Sequence, residues 1–136
     1  ATTSMWSPPR SWPAIERSVG TITSASSCAG IRTVKACASP AGSGAWRRKP
    51  EGKWRLSPEA VAAFPPLQDG ILDAAAAHVR PGGRLVYATC SLLVEENEDR
   101  AAAFAARHPG WIPDGQRRLS PLDGGDGFFM AAFRAP

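Results

Sequence analysis

No apolar run in this sequence approaches the length of a membrane span, which excludes a bilayer-crossing helix as a reading. Cysteine is scarce: Cys28, Cys37 and Cys90 are three residues without a CxxC pair. An odd number so spaced indicates neither a disulfide framework nor a zinc site. The start, Ala1-Thr2-Thr3-Ser4-Met5-Trp6, lacks the charged head and apolar core of a secretory signal, and a cytoplasmic, reducing setting is expected. Leu and Phe are missing from residues 1–40, which carry thirteen Ser or Thr instead. Pro8-Pro9 and Pro13 interrupt that segment, and its apolar surface is too small to offset the entropy of ordering it. It is expected to be irregular, with one short helix near Pro13–Val19 and one short strand near Ile31–Ala36 as its candidate elements.

Acidic side chains are nearly absent from one further stretch. Residues 41–56 carry Arg47, Arg48, Lys49, Lys53 and Arg55 against the single Glu51, whereas residues 57–136 carry seven basic and ten acidic side chains. The net charge of +4 is therefore concentrated in a short central segment. Clustered Lys and Arg suit contact with a polyanion, and a solvated basic loop accounts for the same composition equally well. Trp46 and Trp54 bracket the cluster. Aromatics among cations suit base stacking, or both indoles pack down on the domain.

From residue 57 onward the sequence has regular punctuation. Ser57-Pro58 is a helix start, with a capping hydroxyl and proline at the first helical position. Pro65-Pro66 ends or kinks that helix, and a second one begins at Pro66 with Leu67, Ile71, Leu72, Ala75 and Val79 as its apolar face. Arg80-Pro81-Gly82-Gly83 ends it, and Arg84–Thr89 reads as a buried strand. Glu95, Glu96, Glu98 and Asp99 open the next helix, where negative charge complements the macrodipole, and are expected to face solvent. Its inner face is Ala101, Phe104, Ala105 and His108, and His108-Pro109-Gly110 stops it. Trp111–Gln116 reads as a loop or short edge strand and Leu119–Gly125 as turns. Phe128–Phe133 is a last strand, with Asp126-Gly127 as the turn leading into it. Helix, turn, buried strand and helix in succession predict a parallel α/β sheet.

Cys90 ends the central strand between two hydroxyl residues, Thr89 and Ser91. Ligands bind at the carboxyl ends of strands in open α/β sheets, so Cys90 is a candidate nucleophile; a small buried thiol is the common alternative.

Gly42-Ser43-Gly44-Ala45-Trp46-Arg47-Arg48-Lys49-Pro50, Lys53-Trp54-Arg55-Leu56 and Leu67-Gln68 are followed by Val79–Ser91, Glu95-Glu96-Asn97-Glu98 and Asp126-Gly127-Phe128-Phe129. Together these stretches resemble the C-terminal half of the catalytic domain of the RsmB/Nop/Sun-type RNA (cytosine-5)-methyltransferases, from about residue 41 to the end. The resemblance implies residues 1–40 as an irregular segment outside the match. Residues 41–136 become the C-terminal half of the sheet in a partial Rossmann-like methyltransferase fold. It implies S-adenosylmethionine as cofactor, an rRNA or tRNA substrate, no membrane, and Cys90 as the nucleophile that adds to cytosine C6. Arg47, Arg48, Lys53, Thr89 and Ser91 are the implied substrate-binding residues.

The sequence departs from that family upstream of Gly42. The family carries Asp-x-Pro-Cys immediately before its Gly-Ser/Thr-Gly loop, the Asp contacting the base and the Cys assisting breakdown of the covalent adduct. Here the stretch reads Cys37-Ala38-Ser39-Pro40-Ala41-Gly42. Nothing in residues 1–40 matches the family's glycine-rich cofactor loop or its ribose-binding acid. The expectation is a methyltransferase part that is inactive alone and binds S-adenosylmethionine weakly or not at all. A non-catalytic RNA-binding remnant using Arg47, Arg48 and Lys53 is the alternative. A differently framed coding segment upstream of residue 41 is a third reading. An uncovered sheet edge would favour self-association.

Overall fold

The computed structural model describes residues 31–38 and 40–136. Four strands, β1 (Ile31–Cys37), β2 (Val79–Thr89), β3 (Ile112–Leu119) and β4 (Phe128–Arg134), form one sheet in the order β1-β2-β4-β3. β1 runs parallel to β2, while β4 is antiparallel to both β2 and β3. Two helices, α1 (Pro58–Ala76) and α2 (Glu98–Arg107), supply the connections on either side of β2. The α/β architecture expected from the sequence is present, but the sheet is mixed rather than parallel, because β4 returns antiparallel between β2 and β3. The strand anticipated near Ile31–Ala36 forms; the helix anticipated near Pro13–Val19 lies outside the described residues.

β2 is central because its sequence suits burial on both faces. Leu85, Val86, Tyr87, Ala88 and Thr89 are all buried, as the uninterrupted apolar run requires of a strand covered on both sides. Leu85 and Tyr87 join Val34 and Ala36 of β1 and Phe129, Ala131 and Phe133 of β4 in one core. Leu72, Ala75 and Ala76 of α1 and Ala101 and Phe104 of α2 close over it. Phe104 is fully buried, with ring centroids 4.7 Å from Phe133 and 5.4 Å from Trp111. Full burial of such a ring contributes about 1.5–3 kcal/mol.

Several element boundaries differ from the sequence reading. α1 continues through Pro65 and Pro66 as one helix, so the separate second helix expected from Pro66 does not form. Ser57 does cap it, its Oγ accepting from the Ala60 amide at 3.2 Å. The inward face is also shifted: Leu67 is 57% exposed and Gln68 is fully buried in its place. Val79 belongs to β2, which starts five residues earlier than Arg84. α2 begins at Glu98, after a 3-10 turn at Val94–Glu96. That turn sends Glu96 inward, contrary to the expectation that all four acids face water. Its Oε1 accepts from the Ala41 amide at 3.2 Å and from Gln68 Nε2 at 3.5 Å, which compensates part of the cost of burying it. The ambiguous stretch after Trp111 forms edge strand β3, whose pairing slips between Pro113 and Gln116.

Candidate active site

Parallel pairing of β1 with β2 sets the carboxyl ends of both strands side by side, with Cys37 level with Ala88. The loops that follow them meet there, joined by the turn that leads into β4. The Gly44 amide donates to the Cys90 carbonyl at 2.9 Å, and the Gly127 amide donates to the Gly44 carbonyl at 3.0 Å. This approach needs glycine on both sides. A Cβ on Gly44 would collide with the Gly127 carbonyl and lie 2.8 Å from the Cys90 carbonyl oxygen. A Cβ on Gly127 would run into the Leu92 side chain.

Cys90 is exposed, whereas Thr89 and Ser91 on either side are buried at 1% and 0% exposure. Their hydroxyls are turned to the protein. Thr89 Oγ1 donates to Asn97 Oδ1, and Asn97 Nδ2 donates to the Ser91 carbonyl at 2.8 Å. The Ser91 amide reaches Thr89 Oγ1 at 3.3 Å, and the Ser43 and Ser91 hydroxyls are 3.0 Å apart. Ser43 Oγ also accepts from the Leu92 amide at 2.7 Å, and Ser91 Oγ from the Leu93 amide at 3.1 Å. Asn97 is itself fully buried. A satisfied buried network of this kind holds a loop in one conformation. Just beneath, Tyr87 donates to the Glu96 carbonyl at 2.7 Å, and burial pushes its phenol well above the usual tyrosine range.

The basic residues stand at the outer rim. Arg48 Nε lies 2.7 Å from Asp126 Oδ2, and Arg47 Nη2 reaches Asp126 Oδ1 at 3.5 Å. Arg47, Arg48, Lys49, Lys53 and Arg55 are all exposed. Lys53 Nζ sits over the Trp54 ring, 4.7 Å from its centroid. Trp54 is 79% exposed, whereas Trp46 is half-buried, so the two indoles divide between the two environments the sequence allowed.

Arg47 and Arg48 are thus tied to the junction that carries Cys90, whereas Thr89 and Ser91 brace it from inside. Sequence reasoning missed Ser43, Gln68, Asn97 and the inward turn of Glu96. Leu67-Gln68 and Glu95-Glu96-Asn97-Glu98 stood out as motif residues, but nothing local shows that their polar groups point into the core. Cys28, the remaining thiol, lies outside the described residues.

A half-sheet with a parallel pair, an antiparallel return and a thiol at the carboxyl end of the central strand is part of a Rossmann-like methyltransferase fold. It resembles the crystal structure of the protein PH0851, with a TM-score of 0.70, 32% identity, and coverage of 75% of this chain and 26% of that one. A methyltransferase homolog protein from Pyrococcus horikoshii shares the fold at a TM-score of 0.64 and 24% identity, over 79% of this chain and 40% of that one. The family model of the 16S rRNA methyltransferase RsmB/F matches residues 34–134. The chain belongs to this family. The ribosomal RNA small subunit methyltransferase B of Klebsiella pneumoniae is 44% identical over 96 residues, covering 65% of this chain and 22% of that protein. Its Salmonella typhi counterpart is 45% identical over the same length and coverage. The chain therefore spans about a fifth of the length of the curated relatives it matches.

Proposed function

We propose that the chain is the nucleophile-bearing, RNA-contacting part of an S-adenosylmethionine-dependent RNA (cytosine-5)-methyltransferase acting on ribosomal RNA. The observation that carries this reading is the exposure of Cys90 between two buried, hydrogen-bonded neighbours at the carboxyl end of the central strand. C5 of cytosine is a poor nucleophile. Addition of the Cys90 thiolate forms an Sγ–C6 bond and moves the C5=C6 electron pair toward C5, which becomes enamine-like and able to accept a methyl group. Thr89, Ser91 and Asn97 position the cysteine loop, and the exposed cations Arg47, Arg48 and Lys53 contact the RNA backbone.

The glycine loop at Gly44 does not fit S-adenosylmethionine. The amides of Gly44, Ala45 and Trp46 are donated to the carbonyls of Cys90, Gly42 and Ser43, and the open side of Gly44 is filled by Gly127. A glycine-rich cofactor loop needs its backbone open to the ligand between a strand and a helix. The methyl donor is assigned to groups outside the described residues.

A non-catalytic RNA-binding remnant is the second reading, favoured by the exposed Trp54 and its companion Lys53. RNA containing 5-azacytosine separates the two. The first reading predicts a covalent adduct on denaturing gels that disappears in Cys90→Ser. Non-covalent binding without adduct, or adduct that survives Cys90→Ser, contradicts it.

A further inference from the structure

Asp126 is an acid set among the cations of the proposed RNA-facing rim. Each of its carboxylate oxygens takes a different arginine: Oδ2 holds Arg48 through Nε at 2.7 Å and Nη2 at 2.5 Å, and Oδ1 holds Arg47 Nη2 at 3.5 Å. The carboxylate lies beneath the pair, with its side chain 27% exposed against 61% for Arg47 and 65% for Arg48. The hydrogen bond from Arg48 holds the Asp126 carboxyl below the usual carboxylate range, so it is ionised at neutral pH. The fork is also tied to Cys90. Gly127, the next residue, donates to the Gly44 carbonyl at 3.0 Å, and Gly44 donates to the Cys90 carbonyl at 2.9 Å.

An acid on a surface meant for polyanions weakens long-range attraction, so charge alone gives no reason to place one there. Geometry does. A free surface arginine loses much side-chain entropy when it grips a phosphate, and a guanidinium held in advance loses less. Each guanidinium has five N–H donors, and the exposed heads keep donors beyond those turned to the carboxylate.

We infer that Asp126 is a positioning residue that presents Arg47 and Arg48 as one fork for an RNA phosphate beside the base addressed by Cys90. The inference rests on the proposed function, in which these arginines contact RNA. It adds that the acid strengthens RNA binding although its charge opposes it.

The test uses the full chain, a short fluorescein-labelled single-stranded RNA with one cytosine, and anisotropy titrations across a salt series. Thermal melting verifies the fold of each variant. D126N raises the net positive charge, so a purely electrostatic role predicts tighter binding. The fork predicts binding weaker by roughly threefold to tenfold, restored by D126E to within roughly twofold of the parent. R48K keeps the charge and loses the planar fork, and it is expected to weaken binding by a similar factor. If D126N and R48K bind as tightly as the parent while R47A/R48A binds more weakly, the fork is wrong and the RNA-contact reading stands. If R47A/R48A leaves both affinity and salt slope unchanged, the RNA-contact reading falls and the fork with it. Should D126N fail to fold, R48K alone decides: weaker binding supports the fork and parental binding overturns it.

Discussion

Within Leu85–Ser91 every residue is buried except Cys90. That pattern cannot come from hydropathy, because cysteine is more apolar than the buried Thr89 and Ser91 on either side of it. It comes from the polar groups around it. Thr89, Ser91, Asn97 and Ser43 spend their hydrogen bonds on one another and on the loop amides, leaving the thiol on the outside. Gly44 is the residue on which the junction depends most sharply, since a Cβ there would run into two carbonyl oxygens. Gly44→Ala is predicted to destabilise the chain by about 1–3 kcal/mol, the usual cost of overpacking. It should also speed hydrogen exchange at the Leu92 amide, which is held by Ser43 next door. Urea denaturation and exchange mass spectrometry read the two effects. Unchanged protection at Leu92 would show that the loop does not need the close approach. Glu96 teaches a related lesson. An acidic run before a helix reads as solvated, yet one of its members is fully buried because an amide from the loop after β1 and a buried glutamine reach its carboxylate.

Among the elements, α1 shows how far local rules carry. Proline inside a helix costs about 3 kcal/mol or more, which argues for a break at Pro65-Pro66. The helix continues because Gln68, Leu72, Ala75 and Ala76 downstream are buried against the sheet and α2. Ala62, Ala63, Pro66 and Leu67 are exposed, so water is at hand for the carbonyls that the prolines leave unpaired. α1 is tied to α2 by an exposed cluster: Asp73 Oδ1 lies 2.8 Å from His108 Nε2 and 3.1 Å from Arg107 Nη2. Desolvation disfavours ionised Asp73, but the hydrogen bonds from His108 and Arg107 outweigh it and hold the carboxyl below its usual range. A depressed folded pKa means that the tie is fully present above the unfolded value of about 3.9 and is lost as pH falls through the lower folded value. Asp73 is 43% exposed, so screening limits the contribution to about 1 kcal/mol or less. Asp73→Asn should therefore lower stability at neutral pH and lose that difference as pH falls through the lowered folded value, as measured by urea denaturation at each pH. A difference that persists at low pH would assign the effect to packing. The strands were unequally legible. β2 holds a buried run, Leu85–Thr89, after the turn residues Pro81-Gly82-Gly83 within it, and β4 is an aromatic-rich run preceded by Asp126-Gly127. β3, with Pro113, Asp114 and Gly115 inside it, has poor strand propensity and forms by pairing with β4, which no local pattern reveals.

At the scale of the whole molecule, the family and the half-sheet were readable from motifs because those motifs are turns and strand ends with strict local requirements. The long-range contacts were not. That Ser43 meets Ser91, Gly44 meets Gly127 and Arg48 meets Asp126 follows only from the order β1-β2-β4-β3, which brings three distant loops to one end. The same topology divides the labour we propose: the described sheet carries the nucleophile and the RNA rim, while its glycine segment is already filled by protein and leaves no room for a nucleoside. Calorimetric titration of the chain with S-adenosylmethionine tests that division most directly. No saturable heat is expected, with the 5-azacytosine adduct at Cys90 still forming under the same conditions; low-micromolar, stoichiometric binding would overturn the division.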